Sequence, residues 1–470
     1  MKINLIGLAV ACLLLLSERA ASQDVMINTE VRSRKVDGRG KVSYLDWKAY
    51  QTLLVKNISG YKSDVVKTNS YGGNLNIKGN ATGFFHTEKI GDRWWCIDPE
   101  GYAYISTAVN SIVKGSSDHN RQAFSKTFGS DAQWMKQTSG LLQDHGFDEA
   151  GSWSDHQEIR RYNRTAKNPL TYTVMLNFMS SYGNKIGGTY RAPGHTGYPK
   201  NVIFVFDPGF ETFCDSHAKQ IATWKEDKNL LGYFSDNEMP YRTSYIDSCL
   251  AFSPTDHAHR AAVQWMKDKG LERSKLSEKD RVDFLVFAAE KYFSIVSKAI
   301  KKYDPNHMYI GCRFHNKERN IQPFMEAAGR HMDIVSINYY REWTPNMVEM
   351  DNWSKWTGKP FLVTEFYVKA EDTGMGNFSG AGWIVRTQKD RGDFYQNWCI
   401  GLLKQRSCVG WHWFKYIDND PEQKNAEPSN IDANKGIVDR LYKPYSGLLE
   451  KMRELNQERY NIIKFLDHKK

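Results

Sequence analysis

The sequence predicts an α/β protein, a (β/α)8 barrel with a small β-rich region before it. From about residue 100 onward, short apolar runs rich in β-branched residues alternate with helical patterns, as in consecutive βα units. Eight such runs follow one another, which is the number of strands in this type of barrel. The chain of 470 residues is long enough for one large barrel plus a small accessory region.

The first element, residues 1–22, has the pattern of a secretory signal peptide. Lys2 precedes an apolar stretch over residues 3–16, and small residues follow up to a predicted cleavage near Ala21 or Ser22. A lipid anchor on Cys12 is the less favoured alternative, because Cys12 lies inside the apolar stretch. No later stretch reaches the roughly 18 apolar residues of a membrane span. We therefore expect a secreted or periplasmic protein.

The second element, residues 23–100, alternates polar and apolar positions and contains several glycines, for example over residues 70–79. This pattern predicts a β-rich region that ends in a hairpin through residues 84–95. Two roles stay open for it. It covers the amino-terminal end of the barrel, which we favour, or it forms an independent sugar-binding module.

The third element, residues 101–470, is predicted to be the barrel, whose active site lies at the carboxyl ends of the strands. The clearest helix is predicted over residues 282–300, with Ser277 and Asp280 as its capping start. Long loops over residues 180–200, 240–275 and 415–436 are expected on the catalytic face. The eight predicted strands are 102–112, 147–153, 172–178, 230–237, 307–314, 333–340, 360–366 and 408–414.

Composition narrows the function. The formal charge is +10, but the charges are scattered rather than gathered in an arm, so we do not expect a nucleic-acid partner. The positive excess favours polyanionic substrates or surfaces. Aromatic residues make up 13% of the chain, which suits both sugar platforms and core packing. The cysteines are sparse and lack metal-type spacing, so neither a zinc site nor a disulfide-rich scaffold is indicated; the oligomeric state stays open.

Two glutamates carry the predicted chemistry. Glu238 ends the fourth predicted strand directly after Asn237, and Glu365 ends the seventh. A retaining glycosidase uses one carboxyl group as acid and then base, and a second as nucleophile, about 5 Å apart. Glu238 is therefore the predicted acid/base and Glu365 the predicted nucleophile. Asn237 is expected to bind a sugar 2-hydroxyl, which strengthens transition-state binding.

Other strand ends supply candidate substrate-binding residues. One of Tyr339 and Tyr340 is expected to donate to the nucleophile, with core packing as the competing account for the other. Arg313 and His315 are expected to bind hydroxyls or a sulfate, and a packed histidine is the alternative for His315. The remaining candidates are Asn110 and the possible sugar platforms Trp153, Trp411 and Trp413, of which Trp413 lies nearer the catalytic end.

These residues resemble the β-agarases of glycoside hydrolase family 50, within the clan A barrels. The resemblance runs from about residue 82 to residue 440 and is carried by several short motifs. They are Gly83-Phe-Phe-His86, Arg93-Trp-Trp-Cys-Ile-Asp-Pro-Glu-Gly101, Ala108-Val-Asn-Ser111, Gly151-Ser-Trp-Ser-Asp155, Leu231-Gly-Tyr-Phe-Ser-Asp-Asn-Glu238 and Thr364-Glu-Phe366.

The resemblance implies the same roles for Glu238 and Glu365, and retaining cleavage of β-1,4-galactosidic bonds in an agarose-type red-algal galactan without a metal. Two features depart from the family pattern. The region before the barrel is much shorter than the expected amino-terminal domain, and Ser152 stands where Asn is expected. Alternatives therefore stay open: a hydrolase of sulfated galactan such as porphyran or carrageenan, another clan A β-glycan hydrolase, or a carbohydrate-binding barrel without turnover.

Overall fold

The structure is a computed structural model that describes residues 23–36, 41–423 and 426–468. The predicted signal peptide lies outside the described residues. Within them, no helix is long and apolar enough to cross a membrane. The six cysteines of this part of the chain are all buried free thiols.

The strands are short and occur along most of the chain. In chain order they are β1 (Ile27–Arg32), β2 (Arg34–Val36), β3 (Val42–Tyr44), β4 (Lys48–Thr52), β5 (Asn74–Lys78), β6 (His86–Ile90), β7 (Arg93–Ile97), β8 (Tyr102–Tyr104), β9 (Ser106–Val109), β10 (Glu149–Ala150), β11 (Thr171–Met175), β12 (Tyr190–Ala192), β13 (His195–Gly197), β14 (Leu230–Phe234), β15 (Met308–Tyr309), β16 (Val335–Asn338), β17 (Phe361–Phe366), β18 (Lys369–Ala370), β19 (Ile384–Val385) and β20 (Cys408–Trp413).

The helices alternate with the strands from residue 118 onward. They are α1 (Asp118–Thr127), α2 (Asp131–Asp144), α3 (His156–Asn163), α4 (Phe178–Lys185), α5 (Gly209–Ala218), α6 (Tyr245–Leu250), α7 (His257–Asp268), α8 (Glu278–Tyr303), α9 (Gln322–His331), α10 (Met347–Thr357), α11 (Gln388–Leu403) and α12 (Ser446–His468). Helix α8 contains the predicted helix, and Ser277 and Asp280 form its capping box.

An eight-stranded sheet forms the centre of the molecule. Its order is β15-β14-β11-β10-β9-β20-β17-β16, and neighbouring strands are parallel. The two outer strands also meet, because Phe314 N donates to Ser336 O at 3.0 Å and Asn338 N to Phe314 O at 2.8 Å. The curled sheet is consistent with a barrel. Each of the eight predicted strand regions overlaps one of its strands, in the predicted order.

The antiparallel sheet β5-β8-β7-β6 covers the amino-terminal end of the barrel. Phe85 and Cys96 from this region are completely buried and belong to one apolar cluster with barrel residues such as Leu231, Leu362 and Val409. This cluster closes the end opposite to the strand carboxyl termini. The second half of residues 23–100 therefore covers the amino-terminal end of the barrel, which is the role we favour for this region.

The first half of that region lies elsewhere, which corrects the expectation. Strand β1 pairs with β19, and β19 pairs with β18, just beyond the carboxyl end of barrel strand β17. The hairpin of β2 and β3 brings Arg34, Val36 and Val42 into a pocket that also contains Glu238 and Glu365. Local alternation of polar and apolar residues predicts strands but does not say which end of the barrel they cover.

Candidate active site

Asn338 links the two predicted catalytic glutamates. Its Nδ2 donates to Glu238 Oε1 at 2.8 Å and to Glu365 Oε2 at 3.3 Å. The sum of these two lengths, 6.1 Å, is the upper limit for the separation of the two oxygens. Asn338 ends β16, Glu365 lies near the end of β17, and Glu238 follows β14. The barrel thus brings together three strand ends that are far apart in the chain.

Glu365 is held on both oxygens. The Arg313 guanidinium donates to Oε2 at 2.6 Å, and the Tyr340 hydroxyl donates to Oε1 at 2.5 Å. Burial raises the pKa of Glu365, while the Arg313 charge opposes this effect and the nearby Glu238 carboxylate adds to it. Because a guanidinium and a phenol both stabilise the anion, these contacts favour the ionised form of Glu365. Tyr340 makes the contact that was expected of one of the two tyrosines.

Arg313 is completely buried and organises the floor of the site. Besides Glu365, it donates to Asn237 Oδ1 at 2.8 Å and to Ser152 Oγ at 2.6 Å, and its guanidinium lies 4.4 Å from the Trp153 ring centroid. The prediction that Arg313 binds substrate groups directly does not fit this burial, because its donors point at protein atoms. Ser152, the residue that departs from the family pattern, has a defined partner here.

The orientation of the Asn237 amide is fixed by its neighbours. Its Oδ1 accepts from both Arg313 Nε and Asn338 Nδ2, the latter at 3.2 Å. The amide oxygen therefore points into the protein, and Nδ2 has no acceptor among the described residues. Asn237 also lines a pocket with Glu365. This geometry leaves a donor for a hydroxyl group of a ligand.

Glu238 differs from Glu365 in its environment. Asn338 is the donor to its carboxyl group, and no ion pair within 4.0 Å is found for it in the described part of the chain. Burial raises the pKa of Glu238, and the hydrogen bond from Asn338 opposes this rise. Since a neutral amide stabilises the anion less than a guanidinium does, the proton of the pair is favoured on Glu238.

Several residues at the strand ends adopt left-handed backbone conformations. Non-glycine residues rarely do so, and such strained positions cluster at functional sites. Glu238 has φ 49°, Arg313 has φ 58° and Trp153 has φ 59°. The residues that follow three other barrel strands share this feature: Ser111, Asn177 and Arg341. The strain surrounds the glutamate pair on several sides.

Two pockets meet at Glu365. The first, of about 320 Å³, is lined by Trp153, Asn237 and Phe414 among others. The second, of about 670 Å³, is lined by Glu238 and by the hairpin of β2 and β3. Pockets of this size accommodate small ligands or sugar units. Residues of two predicted long loops, 180–200 and 415–436, separate and border the pockets, since Gly194 and Ser429 line both.

The two tryptophans of β20 do not face either pocket. Trp411 donates to Tyr395 OH at 2.7 Å and Trp413 to Lys435 O at 3.0 Å, and both side chains are completely buried. The prediction of a sugar platform at Trp411 or Trp413 is therefore wrong. The next residue, Phe414, lines the first pocket and packs edge-to-face on Trp153. Trp153 lines the same pocket, as its predicted role requires.

Three further candidates lie in different places. Tyr339 is fully buried between Trp353 and Trp398 and donates to Glu349, so the core-packing account describes it. Asn110 is also fully buried and donates to Thr364 O at 2.9 Å, which places it beneath the site and away from a ligand. His315 lines the second pocket, and burial lowers its pKa to about 4.

One other cluster has side chains that bind cations in many proteins. His119, Asp420 and Glu422 bring one ligand atom each within 4.8 Å of one another. However, Arg440 already lies 2.6 Å from Asp420 and 3.3 Å from Glu422. The guanidinium compensates the acidic charge, so this arrangement is an ion-pair network.

Residues that no sequence pattern singled out complete the site. Arg34 comes from the hairpin of β2 and β3, and Lys435 from the loop after β20. Neither follows a strand-end motif. Phe414 directly follows Trp413, the predicted platform. The sequence therefore predicts the correct strand end, but not that the side chain of Phe414, rather than that of Trp413, faces the pocket.

Comparison with known proteins found related agarases. No family model matches the chain. Beta-agarase B of Vibrio sp. (strain JT0107) is 24% identical over 534 residues, which cover 91% of this chain and 52% of that protein, so the chain spans about half the length of this curated relative. The crystal structure of the agarase AgWH50C superposes with a TM-score of 0.67 at 21% identity, over 85% of this chain and 67% of that one.

The crystal structure of BpGH50 is more similar. It superposes with a TM-score of 0.83 at 31% sequence identity, and the match covers 95% of this chain and 97% of that chain. The likeness therefore includes the amino-terminal strands as well as the barrel. A relative of this identity, matched over nearly the whole of both chains, shows that the protein belongs to glycoside hydrolase family 50.

Proposed function

We propose that this protein is a retaining glycoside hydrolase that cleaves β-1,4-galactosidic bonds of an agar-type red-algal galactan through a covalent glycosyl-enzyme. The observation that carries the proposal is the single amide of Asn338 shared by Glu238 and Glu365. The two glutamate oxygens that accept from this amide lie at most 6.1 Å apart. The carboxyl groups are about 5 to 5.5 Å apart in retaining enzymes and roughly 6.5 to 9.5 Å apart in inverting ones, so the limit favours a retaining enzyme.

In the first step, the ionised Glu365 attacks the anomeric carbon of the sugar. Arg313 and Tyr340 hold its two oxygens and so fix the direction of attack. Glu238 gives its proton to the glycosidic oxygen as the bond to the anomeric carbon breaks. The products of this step are a released saccharide, with a free hydroxyl group at the former glycosidic oxygen, and an ester between Glu365 and the remaining sugar.

In the second step, Glu238 acts as a base. Now ionised, it takes a proton from a water molecule whose oxygen attacks the anomeric carbon, and the ester bond to Glu365 breaks. Both carboxyl groups return to their starting protonation states. Two inversions at the same carbon give net retention.

The two pockets suggest how the sugar chain lies. Asn237 lines the first pocket and offers Nδ2 to a hydroxyl, so the sugar attacked by Glu365 is placed there, between Trp153 and Phe414. Glu238 lines the second pocket. Because the acid must reach the departing oxygen, the leaving group is placed in the second pocket.

The substrate class rests on the related proteins. The Vibrio relative is named a β-agarase, and AgWH50C is an agarase. In this proposal the eight strands form a closed (β/α)8 barrel of the clan A type over residues 101–470, and residues 23–100 accompany it. The apolar stretch at residues 3–16 supports export of the chain, where a polysaccharide substrate is accessible.

The test uses the purified chain with agarose and with defined neutral agar oligosaccharides. We expect oligosaccharide products whose newly formed reducing ends first appear as the β-anomer, observed by proton NMR during the initial turnovers. Glu365→Ala removes the nucleophile and should abolish turnover. Glu450→Gln, an exposed position on α12, serves as the control and should retain full activity. Initial release of the α-anomer would contradict the retaining mechanism.

A further inference from the structure

The second pocket contains cations that have no carboxylate partner. Arg34, Arg341 and Lys435 all line it. Within the described residues, none of the three has an acidic oxygen within 4.0 Å. By contrast, the arginine beneath the pocket, Arg313, is paired with Glu365 at 2.6 Å. The positive charges at the pocket wall therefore form no ion pair with the described carboxylates.

Lys435 is the most buried of these cations, with 2% of its surface exposed. Its Nζ donates to the neutral acceptors Ser429 O at 2.7 Å and Asn430 Oδ1 at 2.6 Å and lies 4.6 Å from the Tyr367 ring centroid. Burial lowers the pKa of Lys435 to about 7. The charges of Glu365 and Glu427 oppose this shift without being in contact with Nζ, and an anion bound closer to Nζ would stabilise the ammonium further.

Arg34 and Arg341 approach the pocket from opposite parts of the chain. Arg34 donates to Gly380 O at 2.9 Å and to Phe378 O at 2.6 Å, which fixes its side chain but leaves its charge uncompensated. Arg341 directly follows Tyr340, has φ 78° and is exposed. In the part of the chain that the structure describes, Arg341 makes no hydrogen bond or ion pair.

The acidic groups of the pocket are already engaged. Glu365 is paired with Arg313, and Glu238 carries the proton at the start of the proposed reaction. Asp432 accepts from Phe378 N at 2.7 Å and from Ser379 N at 2.8 Å. Asp432 keeps its negative charge, but the two arginines and Lys435 outweigh it, so the pocket is electropositive when substrate enters it.

The same pocket has an apolar wall. Phe378 is 51% exposed and Ile431 is 39% exposed, and both line it next to the cations. An exposed aromatic ring offers a face for the carbon-bound hydrogens of a sugar ring. The combination fits a sugar with a charged substituent better than it fits a free inorganic anion.

We propose that the second pocket binds an anionic substituent, a sulfate ester or a carboxylate, on the sugar at the leaving-group side of the cleaved bond. The placement of the leaving group rests on the proposed function, but the binding of an anionic sugar does not require turnover. The side chains of Arg34 and Arg341 make the discriminating contacts, and Lys435 adds charge from below. Guanidinium groups suit both oxyanions, since they donate in pairs.

The test measures binding by calorimetry to the Glu238→Gln chain, in which turnover is blocked and the Arg313–Glu365 pair stays intact. Three probes share one backbone: neutral agar oligosaccharides, sulfated porphyran oligosaccharides, and agar oligosaccharides oxidised to carboxylates at their primary hydroxyls. We expect at least one charged probe to bind about 10-fold more tightly than the neutral one, the effect of one charge-assisted hydrogen bond. The probe that gains most identifies sulfate or carboxylate.

Arg34→Gln and Arg341→Gln, each in the Glu238→Gln chain, should reduce the ratio of charged to neutral affinity towards one. Arg453→Gln removes the same charge from an exposed position on α12 and should leave the ratio unchanged. Equal affinity for all three probes overturns the inference, and so does a preference that neither arginine variant reduces. Failure of the wild-type chain to cleave any of the probes is a separate result that counts against the proposed function.

Discussion

Arg313 Nη2 lies 2.6 Å from Glu365 Oε2 in an ion pair at the floor of the site, in which the arginine is completely buried and the glutamate side chain is 12% exposed. The same guanidinium holds Asn237 and Ser152, so one side chain connects the predicted nucleophile with the residue that precedes the predicted acid. A buried pair of this kind is strongly destabilised when one partner is removed. The arrangement makes the charge of Glu365 dependent on Arg313.

Arg313→Gln should lower kcat/KM on agar oligosaccharides by about 100-fold or more, because Glu365 loses the charged donor that holds its reacting carboxylate. It should also change the pH profile. Burial raises the pKa of Glu365 and Arg313 opposes that rise, so without Arg313 the pKa increases further. Because the nucleophile must be ionised, the acidic limb of kcat/KM moves to higher pH.

Arg313→Lys provides the comparison, because it keeps the charge but loses the fork of donors to Asn237 and Ser152. Its acidic limb should lie closer to that of the wild type, although its rate is reduced. The ion-pair account would be contradicted by an Arg313→Gln enzyme whose acidic limb does not move.

Tyr340→Phe should reduce kcat by about 10- to 100-fold, because Glu365 loses a charge-assisted hydrogen bond worth about 1.5 to 3 kcal/mol. The neighbouring tyrosine offers a matched control. Tyr339→Phe removes a hydroxyl that donates to Glu349 in the core, so it should lower the melting temperature while kcat changes little. Equal losses of kcat in both variants would mean that the Tyr340 hydroxyl has no special role at Glu365.

Much of this architecture could be predicted from the sequence. The eight strand regions were found because each is a short apolar run bounded by a helix or loop, and Glu238 and Glu365 stand out because a carboxylate at such a run's end is unusual. The proximity of these glutamates follows from their places on the fourth and seventh strands. A barrel gathers all strand carboxyl ends on one face.

The parts that escaped prediction depend on long-range packing. Alternation along β20 correctly places Trp411 and Trp413 on the same side, but it does not say which side faces the pocket, and a shift of one residue reverses the answer. The hairpin with Arg34 reaches the catalytic face because β1, the strand before it, pairs with β19, more than 300 residues later in the chain. No local pattern reports such a contact.

Phe414→Ala should therefore impair substrate binding, whereas substitution of the tryptophans of β20 should not. Phe414 lines the first pocket, so its removal should raise KM by about 10-fold, the effect of a lost stacking contact of about 1 to 1.5 kcal/mol. Because Phe414 is only 8% exposed, its removal should also lower the melting temperature. Trp413→Phe should lower the melting temperature with little change in KM, because the indole is fully buried and donates to Lys435 O. Kinetics and thermal unfolding of both variants check the assignment, and a raised KM in the Trp413 variant alone would restore Trp413 as the platform.

His315 should make the folded protein sensitive to mild acid. Burial lowers its pKa to about 4, below the ordinary value of 6.5, with Glu318 opposing the shift. The neutral ring is therefore the form that the fold accommodates, and its contribution to stability is complete above pH 6.5 and is lost as the pH falls from 6.5 towards 4. His315→Gln removes this titration, so the wild type should lose more of its unfolding free energy than the variant between pH 7 and pH 5. Urea unfolding of both proteins at the two pH values measures the difference, and equal losses would show that His315 is not the acid-sensitive group.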